Sequence, residues 1–95
     1  METNWPFEEP RNTAVITTKQ IMQGGAPILS VIHDRDGEWQ FLDGGDVMED
    51  DTVVVGLGNL LSRDPGLRLL ADLPCGWIAW RESRNMPWQR KEESW

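Results

Sequence analysis

Reactive side chains are scarce in this sequence. It contains one cysteine, Cys75, one histidine, His33, and no tyrosine. A single cysteine excludes an intramolecular disulfide and suits a reducing compartment. One Cys and one His cannot complete a tetrahedral zinc site, so no metal or other cofactor is expected. No apolar run approaches the roughly 20 residues a membrane-spanning helix needs. The opening Met1-Glu2-Thr3-Asn4-Trp5 is acidic and polar where a secretory segment would be basic. A cytoplasmic location, with no membrane association, is the expectation. Basic charge is also in short supply: 9 Lys and Arg stand against 16 Asp and Glu, a formal net charge of -7. Such a surface repels phosphate backbones and attracts basic proteins, which disfavours nucleic acid as a partner.

What is present describes one small domain. Ninety-five residues suffice for a single modest core, and a hydrophobic share of 39% fits a folded chain. Six Trp residues supply large apolar areas that anchor such a core. Residues 1–12, with Pro6, Pro10 and three glutamates, read as an extended arm that Trp5 and Phe7 pin to the body. Residues 13–88 form the predicted domain, and 89–95 read as a frayed C-terminal tail.

Within the domain, the β-branched Thr13–Thr17 predicts a strand, and Thr18 an N-cap for a short turn over Lys19–Gln23 that Gly24-Gly25 ends. Pro27–His33 predicts a buried strand. Asp36-Gly37 is a hairpin signal, because Asp and Gly tolerate positive φ. Glu38–Leu42 then alternates, with Trp39 and Phe41 on one face and Glu38, Gln40 and Leu42 on the other. Thr52–Val55 is strand-like and runs into a helical pattern of Leu57, Leu60 and Leu61. Asp64-Pro65 has the form of a helix start, with Leu67, Leu70 and Leu73 on the buried side and Pro74 as the stop. Gly76–Arg81 predicts a last strand, in which Trp77 and Trp80 face opposite ways. The fold class these elements predict is α+β: a small, mostly antiparallel sheet with two or three short helices packed on one face.

Catalytic motifs are not evident. His33 lies beside Asp34, but adjacent strand residues point to opposite faces, so Asp34 is badly placed to orient the imidazole. A hydrogen-bonded structural role is the expectation for His33, and a small apolar filler for Cys75. A Cys75–His33 nucleophile and base is the alternative, in a small enzyme or ligand-binding domain, and it fails if the two lie well beyond hydrogen-bond reach with no shared cleft. Asp34-Arg35-Asp36-Gly37-Glu38 resembles the opening of a calcium loop, but its twelfth position falls on Gly45 instead of a bidentate Glu. Gly44-Gly45-Asp46 and Gly56-Leu57-Gly58 lack the Lys-Ser/Thr of a phosphate cradle.

The candidate binding surface is the acidic stretch Asp43, Asp46, Glu49, Asp50 and Asp51, suited to a basic groove on a partner, together with Trp80 as an exposed anchor. A homo-oligomer through the Trp80 face is a further possibility.

Residues 13–81 resemble a small bacterial family of unknown function, classed by its genomic company as candidate immunity proteins of polymorphic toxin systems. The strand and turn Val15–Gly25 carry the resemblance. So do Asp36-Gly37-Glu38-Trp39-Gln40-Phe41-Leu42 followed by Gly44-Gly45-Asp46, then Asp64-Pro65 and Leu73-Pro74-Cys75-Gly76-Trp77. It implies a non-enzymatic protein-binding role, the blocking of a toxin domain, and transfers no catalytic residue.

Overall fold

Side chains alternate across six strands, and only one of the two resulting faces is covered. In this computed structural model, residues 5–45 and 47–93 are described. Strands β1 (Ala14–Thr18), β2 (Ser30–His33), β3 (Trp39–Leu42), β4 (Thr52–Gly56), β5 (Trp77–Trp80) and β6 (Gln89–Glu92) form one sheet. Their spatial order is β4-β1-β3-β2-β5-β6. The β1–β3 pair is parallel and the other four pairs are antiparallel. Helix α1 (Lys19–Met22) follows β1, and α2 (Leu57–Arg63) follows β4. A 3-10 turn over Glu49–Asp51 and a 3-10 helix over Pro65–Leu70 complete the elements. This is the predicted α+β fold, with a mixed sheet that is mostly antiparallel.

The covered face carries Val15, Thr17, Val31, His33, Trp39, Phe41 and Ala79, all buried. Leu57, Leu60 and Leu61 of α2, then Leu67, Leu70 and Leu73, close over it. Each such side chain removed from water contributes about 2 kcal/mol. Thr18 caps α1 as expected, its hydroxyl accepting from Ile21 N. Asp64 caps the segment that begins at Pro65, accepting from Gly66 N at 3.0 Å. The N-terminal arm is pinned as predicted: Phe7 is buried, and the Arg11 guanidinium lies 4.6 Å from the Trp5 ring centre.

Several expectations need correction. The segment after Asp64 is a 3-10 helix and not an α-helix. The predicted β2–β3 hairpin forms, but Asp36-Gly37 sits inside a longer connection, Asp34–Glu38, which Asp34 N closes by bonding Glu38 O at 2.9 Å. Asp34 holds this loop by accepting from Asp36 N and Glu38 N, each at 2.9 Å. Only Gly37 takes positive φ there, at 91°. The β2 strand starts at Ser30, three residues later than predicted, although Leu29 N also bonds Leu42 O at 2.9 Å. Residues 89–92 are not frayed. They pair along β5 as β6, with Ala79 opposite Arg90 and Trp80 opposite Gln89. A four-residue charged strand has no periodic apolar signal, so only its tertiary partner reveals it.

The buried ion pair of Asp64 and Arg81 also escapes a reading by periodicity. Arg81 donates to Asp64, to Ile28 O at 3.0 Å and to Arg84 O at 3.2 Å, and its guanidinium lies 4.2 Å from the Trp88 ring centre. Both charged side chains are under 10% exposed. They tie the start of the 3-10 helix to the end of β5. Removing one partner strands the other charge away from water, so Asp64→Ala should destabilise the fold by about 3 kcal/mol in urea unfolding. A loss below about 1 kcal/mol would show that the pair is not holding these elements together.

Candidate functional site

Two surfaces carry the side chains singled out from the sequence, and they lie on opposite sides of the sheet. On the covered side, His33 ends β2, with Trp39 of β3 and Trp77 of β5 as its cross-strand neighbours. The Trp39 ring stacks on the imidazole, with centres 3.9 Å apart and planes 14° from parallel. Phe7 meets Trp39 edge-on at 5.3 Å, which fixes the indole from the arm side. His33 is thus locked in orientation before any polar contact is counted.

The polar contacts select its tautomer. Nδ1 lies 2.7 Å from Leu73 O. A carbonyl accepts and cannot donate, so Nδ1 carries the proton and Nε2 is left as the acceptor. Nε2 faces Cys75 Sγ at 3.6 Å, within hydrogen-bond reach for sulfur. Glu9 Oε2 stands 3.9 Å from the same nitrogen and accepts from Trp39 Nε1 at 2.8 Å. Glu8, Glu9, His33, Trp39, Ala71, Asp72, Leu73, Pro74 and Cys75 line a cavity of about 370 Å³ here.

Cys75 reaches this cavity because of its turn. Trp77 N bonds Pro74 O at 3.2 Å, and Gly76 takes φ 84°, a conformation that Gly adopts without strain. Cys75 therefore sits at the tip and is exposed, which corrects its expected role as a buried filler. The distance test resolves against separation: the lone thiol and the lone imidazole share a cavity. Asp34, as expected from its strand position, takes no part. Its carboxylate is turned into the hairpin loop.

The surroundings limit what this pair can do. Acyl transfer needs N–H donors aimed at a developing oxyanion. Gly76 N is engaged by His33 O at 2.6 Å and Trp77 N by Pro74 O. Trp39 Nε1 is engaged by Glu9. Glu8, Glu9 and Asp72 on the rim would repel an oxyanion.

The second surface is the uncovered face of the sheet. Ile16, Ile32, Leu42, Val54, Ile78 and Trp80 alternate with the core residues, and none of them belongs to or packs against the core cluster. Val54 is 69% exposed. Trp80, opposite Ser30, is half-buried on this face, while Trp77 faces the core, which is the opposition expected from their spacing. Leu42 is also opposite Ser30, on its other side, and leads directly into Asp43. Thr52 of β4, opposite Thr18, follows Glu49, Asp50 and Asp51. Because β1 and β3 run parallel, these chain ends gather at one end of the sheet, which Trp80 shares.

The acidic segment is solvated as predicted. Glu49 and Asp50 are exposed, and Asp43 and Asp51 are half-buried. Asp43 accepts from Gly45 N, and Asp51 from the Gln20 amide, each at 3.0 Å. Asp46 lies outside the described residues. Val47 and Met48, 42% and 63% exposed, add apolar surface that was not singled out from the sequence. Among the described residues no group of carboxylate, His and Cys side chains is arranged to hold a metal. No helix among them is long and apolar enough to cross a membrane.

No family model, curated protein or solved structure matches the chain.

The tautomer of His33 is directly measurable. Nitrogen NMR of the imidazole side chain should show the neutral ring protonated at Nδ1, with Nε2 unprotonated. A neutral ring protonated at Nε2 would contradict the Leu73 contact.

Proposed function

We propose that this domain is a non-enzymatic protein-binding module, an immunity-type inhibitor, that holds a basic protein against its uncovered sheet face and acidic loop. The observation that carries this reading is that Trp80 and the strand ends leading to Asp43 and from Glu49, Asp50 and Asp51 lie at the same end of the sheet, although these residues are distant in sequence. An apolar face with a Trp anchor supplies desolvation on binding, and the neighbouring carboxylates supply orientation and charge steering. A net charge of -7 makes a basic occupant the complementary one and a second copy of this chain an unfavourable one. The likeness of residues 13–81 to candidate immunity proteins points the same way.

The test is retention of a basic protein from extracts of the source cell, at low and raised salt. Wild-type protein should retain it at low salt and release it as salt rises. Trp80→Ala should weaken retention by about tenfold or more, the scale of an interface anchor. Joint replacement Asp43→Asn, Glu49→Gln, Asp50→Asn and Asp51→Asn should slow association. Retention unchanged in both variants, each confirmed folded, sinks the reading. Self-association of the chain alone, broken by Trp80→Ala, would assign the face to a second copy instead.

A further inference from the structure

The Cys75–His33 cavity lies on the other side of the sheet from the proposed docking face and has a chemistry of its own. We propose that Cys75 is a reactive thiol that exchanges with small disulfides, assisted by His33 and selective for positively charged reagents.

Three independent features meet there. Cys75 is an exposed residue that lines the cavity, which gives a reagent a route to it. His33 is 7% exposed and aimed into the cavity, with Nδ1 held by Leu73 O and Nε2 turned towards the thiol at 3.6 Å. A buried imidazole fixed in this way is a positioned base, since its acceptor nitrogen needs no reorganisation to take the proton. The third feature is charge. Glu8, Glu9 and Asp72 stand on the rim. Glu9 is 3.9 Å from Nε2, where it stabilises the imidazolium once formed. Asp72 is shared with Arg90 at 3.1 Å, an exposed pair whose mutual neutralisation is weakened by solvent. The rim therefore remains negative and draws cations.

Disulfide exchange makes no demand on the engaged N–H groups of Gly76, Trp77 and Trp39. The negative charge moves from sulfur to sulfur, and no oxyanion forms that would need N–H donors. The thiol proton passes to His33 Nε2, and Cys75 Sγ attacks one sulfur of the incoming disulfide. A new S–S bond to Cys75 forms as the old S–S bond breaks. The departing thiolate takes the proton back from Nε2. One disulfide and one protein thiol become one mixed disulfide and one free thiol, with no outside oxidant or reductant.

The test uses three disulfides of similar size: cystamine, which is cationic, hydroxyethyl disulfide, which is neutral, and dithiodipropionate, which is anionic. Rates of mixed-disulfide formation on the full chain are read by mass spectrometry. Each is divided by the rate of the same reagent with N-acetylcysteinamide, which removes intrinsic reactivity. Wild-type protein should exceed unity with cystamine, and cystamine should outrun dithiodipropionate by about tenfold at low salt, narrowing as salt rises. Glu8→Gln, at an exposed position, should reduce that preference without changing the fold. His33→Gln, if folded, should slow cystamine by about tenfold or more. The wild-type series decides the matter even if His33→Gln does not fold. A normalised cystamine rate at or below unity overturns the proposal. Equal normalised rates for all three reagents, or a folded His33→Gln that matches wild type, overturn it as well.

Discussion

The alternation of side chains across β2, β3 and β5 governs both surfaces of this molecule. Residues one apart on these strands must face opposite ways, and helices cover one face alone. His33, Trp39, Trp77 and Ala79 are thereby committed to the covered side, while Ile32, Gln40, Ile78 and Trp80 are committed to the other. A register slip by one residue would exchange the two sets, placing the imidazole in solvent and Trp80 in the core. The leucines contributed by α2 and the 3-10 helix make that slip costly, since they match the first set in shape and polarity.

Burial and reactivity coincide at His33 for the same reason. The strand holds the imidazole under the indole of Trp39, and the neighbouring chain supplies a carbonyl to Nδ1. Nothing remains for Nε2 except the direction of the cavity. The identity of the group in that direction depends on the turn at Pro74–Trp77, where the left-handed Gly76 swings the chain from Leu73 into β5. A side chain at position 76 would strain the turn and displace the thiol next to it.

Much of the local structure was legible in the sequence because its signals are short-range. The Thr18 cap, the Asp64-Pro65 start, the alternation of Trp39 and Phe41, and the opposed Trp77 and Trp80 depend only on neighbours within a few residues. The features that escaped depend on tertiary partners. β6 is a strand because β5 offers it an edge, not because Gln-Arg-Lys-Glu prefers extension. Arg81 is buried because Asp64 and two carbonyls receive it. The approach of Cys75 to His33 spans 42 residues of chain, and neither residue's neighbours hint at it. Of the acidic surface, composition showed the solvation and the charge. That it leaves the sheet at the same end as Trp80 required the strand order.

That strand order also bears on how the chain assembles. β1 lies between β3 and β4, both of which come after it in the chain, whereas β2 and β3 form a local hairpin. During synthesis β1 is therefore without either of its sheet neighbours until Trp39–Leu42 has been made, and gains its second only with Thr52–Gly56. Closing those loops costs entropy before the pairing returns any stability, a cost the local β2–β3 hairpin largely avoids. In the interval, Val15 and Ile16 remain open to the wrong strand of another molecule. The reach of the slowest contact, more than the size of the core, then sets how fast this small domain is safe from aggregation.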